Sequence, residues 1–222
     1  MQILIELKKL SDEKQQIFNQ KIIPNAKILG IKMPLLRKFA EELLRKLNQK
    51  EILEFIGKNG KFYEELILKA LLINSLKIDE KTRINLAKNF IPRISNWAVC
   101  DIFCQKKKCE LALWHEFVLK YKNAKGEFEK RFFYVFMLVN FVNLDDLQIL
   151  FEVLCDEKSE FYYTQIAAAW ALCEYATKFE NEVFAFLQIY KNRKIKNLAI
   201  KKICESLRFD SATKSKFRAL KS

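Results

Sequence analysis

The chain has 222 residues, 50% of them hydrophobic and 30% charged, with 40 Lys and Arg against 27 Asp and Glu. That is the composition of a folded chain with a sizeable core, and it excludes disorder. Only four Gly and three Pro occur. These are too few turn residues for a sandwich, a barrel or a βαβ fold. One His with four Gly also excludes most metal sites, Gly-rich phosphate loops and Ser-His-Asp chemistry.

Helix period and capping residues predict a nearly unbroken series of helices. Ser11 caps a helix running to about Gln20. Pro34 sits at a first-turn position and opens a helix through about Leu47. Asn48 opens the next, which ends near Gly57, and residues 61–76 read as a strongly apolar helix. Asp79 caps 80–90, which stops before Ile91-Pro92. Ser95 or Asn96 starts a helix carrying Trp97, Asp101 and Cys104. Further helices are predicted at about 109–122, 126–141, 144–155, 160–178, 181–191 and 195–208, with a short basic one at 211–220.

Short loops between such helices make consecutive ones antiparallel neighbours. The pairs recur at roughly 30–40 residues, although no sequence repeat is crisp. The expected architecture is one all-α domain over 1–222, an α-solenoid of HEAT-like antiparallel helix pairs with a concave basic groove. The competing expectation is an irregular globular all-α domain.

The net charge is +13, which bears on partners rather than on fold. A general compositional bias toward lysine would spread it evenly. Instead, Lys191 to Ser222 holds eleven basic residues against two acidic ones, nine of the thirteen net charges. Such a concentration is the footprint expected for a polyanion, nucleic acid or an anionic membrane. Residues 195–208 lack the broad aromatic face of a membrane-surface helix, and no stretch approaches the ~18 apolar residues of a span. The N-terminus lacks the pattern of a secretory signal, so a cytoplasmic location with reduced thiols is expected. Most of the six Cys sit among apolar neighbours, as small core residues do.

Some residue groups invite chemistry. Trp97 and Asp101 are four apart and share a helix face, either as core and solvated surface or as an indole beside a carboxylate in a groove. Arg131 is embedded in an apolar helix, where it either snorkels and pairs with an acid such as Asp145 or presents its fork to a phosphate. Ala167-Ala168-Ala169-Trp170 reads as a tight helix contact, with the indole as filler or projecting into free space. Lys106, Lys107 and Lys108 form a charged loop after the Asp101 helix. Lys191, Arg193, Lys194, Lys196, Lys201, Lys202 and Arg208 span two helices as a groove wall. Cys100, Cys104, Cys109 and His115 have no metal-knuckle spacing, so no metal or other cofactor is expected.

One set of residues is similar to a known family. It comprises Gly30-Ile31-Lys32-Met33-Pro34-Leu35-Leu36-Arg37, Asn96-Trp97 with Asp101, Arg131, Ala167-Ala168-Ala169-Trp170 and Ala199-Ile200-Lys201-Lys202. In order and spacing these resemble the HEAT-like-repeat DNA alkylation repair family, from about Ile28 to Arg208. The resemblance implies a glycosylase that hydrolyses the N-glycosidic bond of cationic methylated purines in duplex DNA without a base-flipping pocket. It implies Asp101 as the catalytic carboxylate, Trp97 and Trp170 as sugar-contacting indoles, and Arg131 at the DNA beside them. Lys106, Lys107, Lys108, Lys194, Lys201, Lys202 and Arg208 are then candidate phosphate contacts, and the protein acts as a monomer. The family's glycosylases carry a gripping aromatic near the N-terminus. Here Lys21, Ile22 and Ile23 fall at that place, with Phe18 and Phe39 nearby, and the wording is closer to a shorter branch of the family. Two other functions suit the same features: a non-catalytic binder of distorted or branched DNA, and a protein-interaction scaffold.

Overall fold

The computed structural model describes residues 2–221. Among these residues it is all-helical, with fourteen α-helices, one 3-10 turn and no strand. The chain forms two compact units, one through Phe103 and the other from Cys104 onward. The first holds α1 (Gln2–Lys8), α2 (Glu13–Ile22), α3 (Met33–Lys46), α4 (Gln49–Gly57), α5 (Tyr63–Ser75), α6 (Glu80–Phe90) and α7 (Trp97–Phe103). The second holds α8 (Leu111–Leu119), α9 (Glu127–Asn140), α10 (Leu144–Cys155), α11 (Tyr162–Ala176), α12 (Glu180–Ile189), α13 (Arg193–Glu205) and α14 (Ser211–Arg218).

The caps explain most boundaries. Asn48 and Glu51 form a reciprocal capping box at α4, and Asp79 accepts the Thr82 N–H at α6. Asp12 rather than Ser11 caps α2: its carboxylate accepts the Gln15 N–H at 2.7 Å, while the Ser11 N–H closes the turn that ends α1. The apolar helix at 61–76 shortens to Tyr63–Ser75, because the Lys61 and Phe62 N–H groups bond the Glu65 carboxylate outside it. The helix expected at 195–208 begins earlier, at Arg193, where Asn192 caps it.

In the first unit α5 is the central element. Its residues Tyr63 to Ile73 are all buried, and α3, α4, α6 and α7 pack around it. Glu64 is fully buried there, and its carboxylate accepts the N–H groups of Leu29 and Gly30 at 2.8 Å. That pins the loop before α3. Gly30 has φ +82, and a Cβ there would lie 2.3 Å from the Asp12 carbonyl oxygen, so the loop can close onto α2 only with glycine.

In the second unit α11 lies between α9 and α13. Ala167, Ala168 and Ala169 are fully buried, which lets these helices approach closely. Phe132 to Met137 on α9 are at most 1% exposed, as expected of a helix apolar on all sides.

A repeat that the sequence does not spell out appears in the polar contacts. Bonds 34 to 37 residues apart recur in each unit: Gly30 N–H to Glu64 and Arg93 to the Ile56 carbonyl in the first, and Tyr163 N–H to Glu127, Tyr175 Oη to the Phe141 carbonyl and Tyr190 Oη to the Leu154 carbonyl in the second. Each unit is therefore a stack of helix pairs of α-solenoid type, one pair tied to the next.

Candidate active site

The first unit holds a cleft of about 490 Å³ between four elements. α2 supplies Gln15, Phe18, Asn19 and Ile22, whose spacing is one helix face. α3 contributes its start, including Lys32 just before it. α5 contributes Tyr63, and α7 contributes Trp97 and Asp101.

α7 has only seven residues, too short to hold its own ends. Two asparagines hold them: Asn96 Oδ1 accepts the Val99 N–H at 3.0 Å, and Asn74 Nδ2 donates to the Phe103 carbonyl at 3.1 Å. Val99, Cys100 and Phe103 are fully buried, with Phe103 against Phe90 at 5.2 Å. Trp97 and Asp101 lie on the remaining face and are half-buried. The Trp97 indole Nε1 donates to the Ile22 carbonyl at 3.3 Å, at the end of α2. This bond ties the indole to the end of α2, and the residue lines the cleft.

Asp101 is the one carboxylate among the described residues that line the cleft, and Lys32 is there with it. Phe18 is 58% exposed and Tyr63 is 8% exposed. Burial, with the Glu64 charge adding to it, pushes the Tyr63 phenol up to about 12, so it remains a neutral hydrogen-bonding group. Phe39, the other N-terminal aromatic weighed above, is in the core at 8% exposure. The sequence reading left Gln15, Asn19 and Tyr63 out of the site, although the i, i+3, i+4, i+7 spacing of the α2 residues was a usable signal.

The remaining expected residues lie in the second unit. Trp170 is half-buried, and it is Trp114 that fills the core, fully buried and stacked on Phe136 at 5.2 Å. Arg131 is 3% exposed and donates to the Tyr163 carbonyl at 3.0 Å. Lys106 and Lys108 are exposed, but Lys107 is not part of a solvated loop: it is buried with its ammonium 4.4 Å above the Trp114 ring. Lys194 pairs with Glu160 at 2.5 Å, and Arg208 makes a fork to Glu174 at 2.6 and 2.9 Å. Lys201 lies 3.8 Å from Glu205, and Lys202 is half-buried.

The cysteines are less uniformly core than expected. Cys100, Cys104 and Cys173 are buried, while Cys109 and Cys155 are exposed. Burial pushes the Cys173 thiol up to about 11, which makes it a poor nucleophile. No group of three or more His, Cys, Asp and Glu suited to a metal occurs among the described residues. No helix among them is long and apolar enough to cross a membrane.

Comparison with curated proteins gives no match. Comparison with protein families gives one across most of the chain: residues 3–207 match the model described as DNA alkylation repair enzyme, a span that covers every wall of the cleft and runs into the second unit as far as the end of α13, leaving α14 outside. With a solenoid-type helical stack and this extent of match, the chain belongs to the DNA alkylation repair enzyme family.

Proposed function

We propose that the protein is a DNA glycosylase that hydrolyses the N-glycosidic bond of alkylated, cationic purines in duplex DNA. The observation that carries this reading is that Trp97 and Asp101, the one carboxylate among the described residues of the cleft, share the cleft-lining, half-buried face of a helix held at both ends.

The chemistry fits these groups. A purine methylated at N3 or N7 already carries positive charge. When its C1′–N bond breaks, the electron pair neutralises the ring, so no general acid is needed. His115, the chain's single histidine, is in the other unit. Positive charge then develops on the deoxyribose. The Asp101 carboxylate stabilises that charge and orients the water that adds to C1′. The face of Trp97 attracts the same cationic sugar, by about 0.5–2 kcal/mol. Trp170 and Arg131 are assigned through the family resemblance, as a second sugar-facing indole and a DNA contact. Lys106, Lys108, Lys194, Lys201, Lys202 and Arg208 remain candidate phosphate contacts. Lys107 is the weakest of that set, because its ammonium already lies on a ring.

The test is release of 7-methylguanine from methylated duplex DNA. Release by the native protein and its loss in Asp101→Asn, with DNA binding retained, is the expected result. Normal folding and DNA binding with no release above background overturns the reading in favour of a non-catalytic binder.

A further inference from the structure

A second cleft, of about 450 Å³, adjoins the first within the same unit, and Tyr63 lines both. Its walls are the loop before α3, the turn between α4 and α5, and the residues leading into α7. Three cationic side chains line it, Lys27, Lys61 and Arg93, and no carboxylate among the described residues does. Lys27 and Lys61 are exposed, and neither ammonium forms an ion pair among the described residues. Of the two carboxylates nearest Lys61 in sequence, Glu64 is taken up by the backbone N–H groups of Leu29 and Gly30 at 2.8 Å, and Glu65 by those of Lys61 and Phe62 at 2.7 and 2.9 Å.

Arg93 is a fixed element of this cleft. Its Nη1 donates to the Ile56 carbonyl at 2.9 Å and its Nη2 to the Lys58 carbonyl, both at the end of α4. A guanidinium has five N–H donors, so three remain beyond these two bonds. Asn96 adds an independent sign. It is 4% exposed and lines the cleft, its Oδ1 is used by Val99, and its Nδ2 is the one buried side-chain polar atom among the described residues with no hydrogen-bond partner. Folded proteins seldom leave such a donor unmet.

We infer that this second cleft is an oxyanion site that takes a phosphate group. A planar guanidinium held in place, two ammonium groups without carboxylates and an unmet amide donor form the donor set that phosphate oxygens require. On the glycosylase reading, the phosphate belongs to the strand whose sugar lies against Trp97, in the adjoining cleft. That identification rests on the proposed function, whereas the oxyanion site itself does not. A free phosphate compound is the other source with the same chemistry.

The test uses the full chain and the double variant Lys27→Gln/Lys61→Gln, both positions being exposed and outside helices, so the fold is retained. In the first arm, thermal unfolding is followed in inorganic phosphate and in sodium chloride at equal ionic strength. Phosphate should raise the Tm of the native protein above its value in chloride, and the double variant should lose that difference. In the second arm, binding to undamaged duplex DNA is titrated with salt. If the phosphate is that of DNA, the log–log slope should fall by about 1 to 2 in the variant. A lost phosphate response with an unchanged slope identifies a free phosphate compound as the occupant. No phosphate-specific rise in Tm together with an unchanged slope overturns the site. Neither arm measures base release, so failure of the glycosylase reading leaves both interpretable.

Discussion

In the second unit, cations that stand out in the sequence meet a local partner. Lys194 lies on Glu160, Arg208 forks onto Glu174, Lys216 pairs with Glu180 at 2.9 Å, and buried Lys130 lies 3.4 Å from Glu157. In the first unit, Lys27, Lys61 and Arg93 line a cleft that no carboxylate among the described residues lines. Three of the eleven basic residues of the C-terminal stretch, Lys194, Arg208 and Lys216, are thus paired with carboxylates 34 to 36 residues earlier, whereas Lys27, Lys61 and Arg93 of the less basic part are the cations that the inferred oxyanion site would use. Net charge along a sequence measures how many cations there are. The field a ligand meets depends on how many are already paired.

The sharpest break in that comparison comes from Asp101→Asn in the first unit. Base release should fall by about 10²-fold or more, the scale for removing a group aimed at transition-state charge, with duplex binding unchanged. Equal activity would remove Asp101 from the chemistry. The two units also hold tryptophans of opposite kind. Trp114→Ala in the second should cost about 3–5 kcal/mol in denaturant unfolding, because the ring is fully buried. Trp97→Ala should cost far less stability and instead slow base release by roughly 2- to 30-fold, the equivalent of one ring–cation contact. A stability loss at Trp97 matching that at Trp114 would make it a core residue.

A third test concerns Lys69 of α5, fully buried, with its ammonium donating to the Lys58 carbonyl and 5.0 Å from the Phe55 ring. Burial, with Arg93 adding to it, pushes its pKa down to about 8. The unfolded chain then holds more protons than the folded one between about pH 8 and the ordinary lysine value of about 10.4. Stability should therefore rise with pH from about 8 toward 10, where the tyrosines begin to ionise in the unfolded chain. Lys69→Met should remove that rise, and it leaves the Lys58 carbonyl satisfied by Arg93. A rise of the same size in the variant would assign the effect elsewhere. The smallest effect is expected from Glu174→Gln, which frees Arg208. DNA affinity at low salt should increase a few-fold if Arg208 is held back by its pair. No change in affinity or salt slope would show that Glu174 does not restrain it.

Much of this was legible before any coordinates. Asn48, Asp79, Pro34 and the position of α7 follow from capping and backbone rules that act over four residues. Trp97 and Asp101 could be placed on one face by helix geometry alone. The sequence could not tell which tryptophan is core, because Trp97, Trp114 and Trp170 all sit in apolar stretches. Nor could it separate Lys107, on the Trp114 ring, from Lys106 and Lys108 on either side of it.

The amino-acid order by itself determined the all-helical class, the paired rhythm and the chemistry on offer, since period, breakers and caps are local properties of the chain. Only the tertiary structure decided which cations are paired, which indole is buried and which four elements enclose Asp101. Those outcomes depend on partners about 35 residues away, such as Glu174 for Arg208 and Glu64 for Gly30, and no local pattern encodes the distance between them.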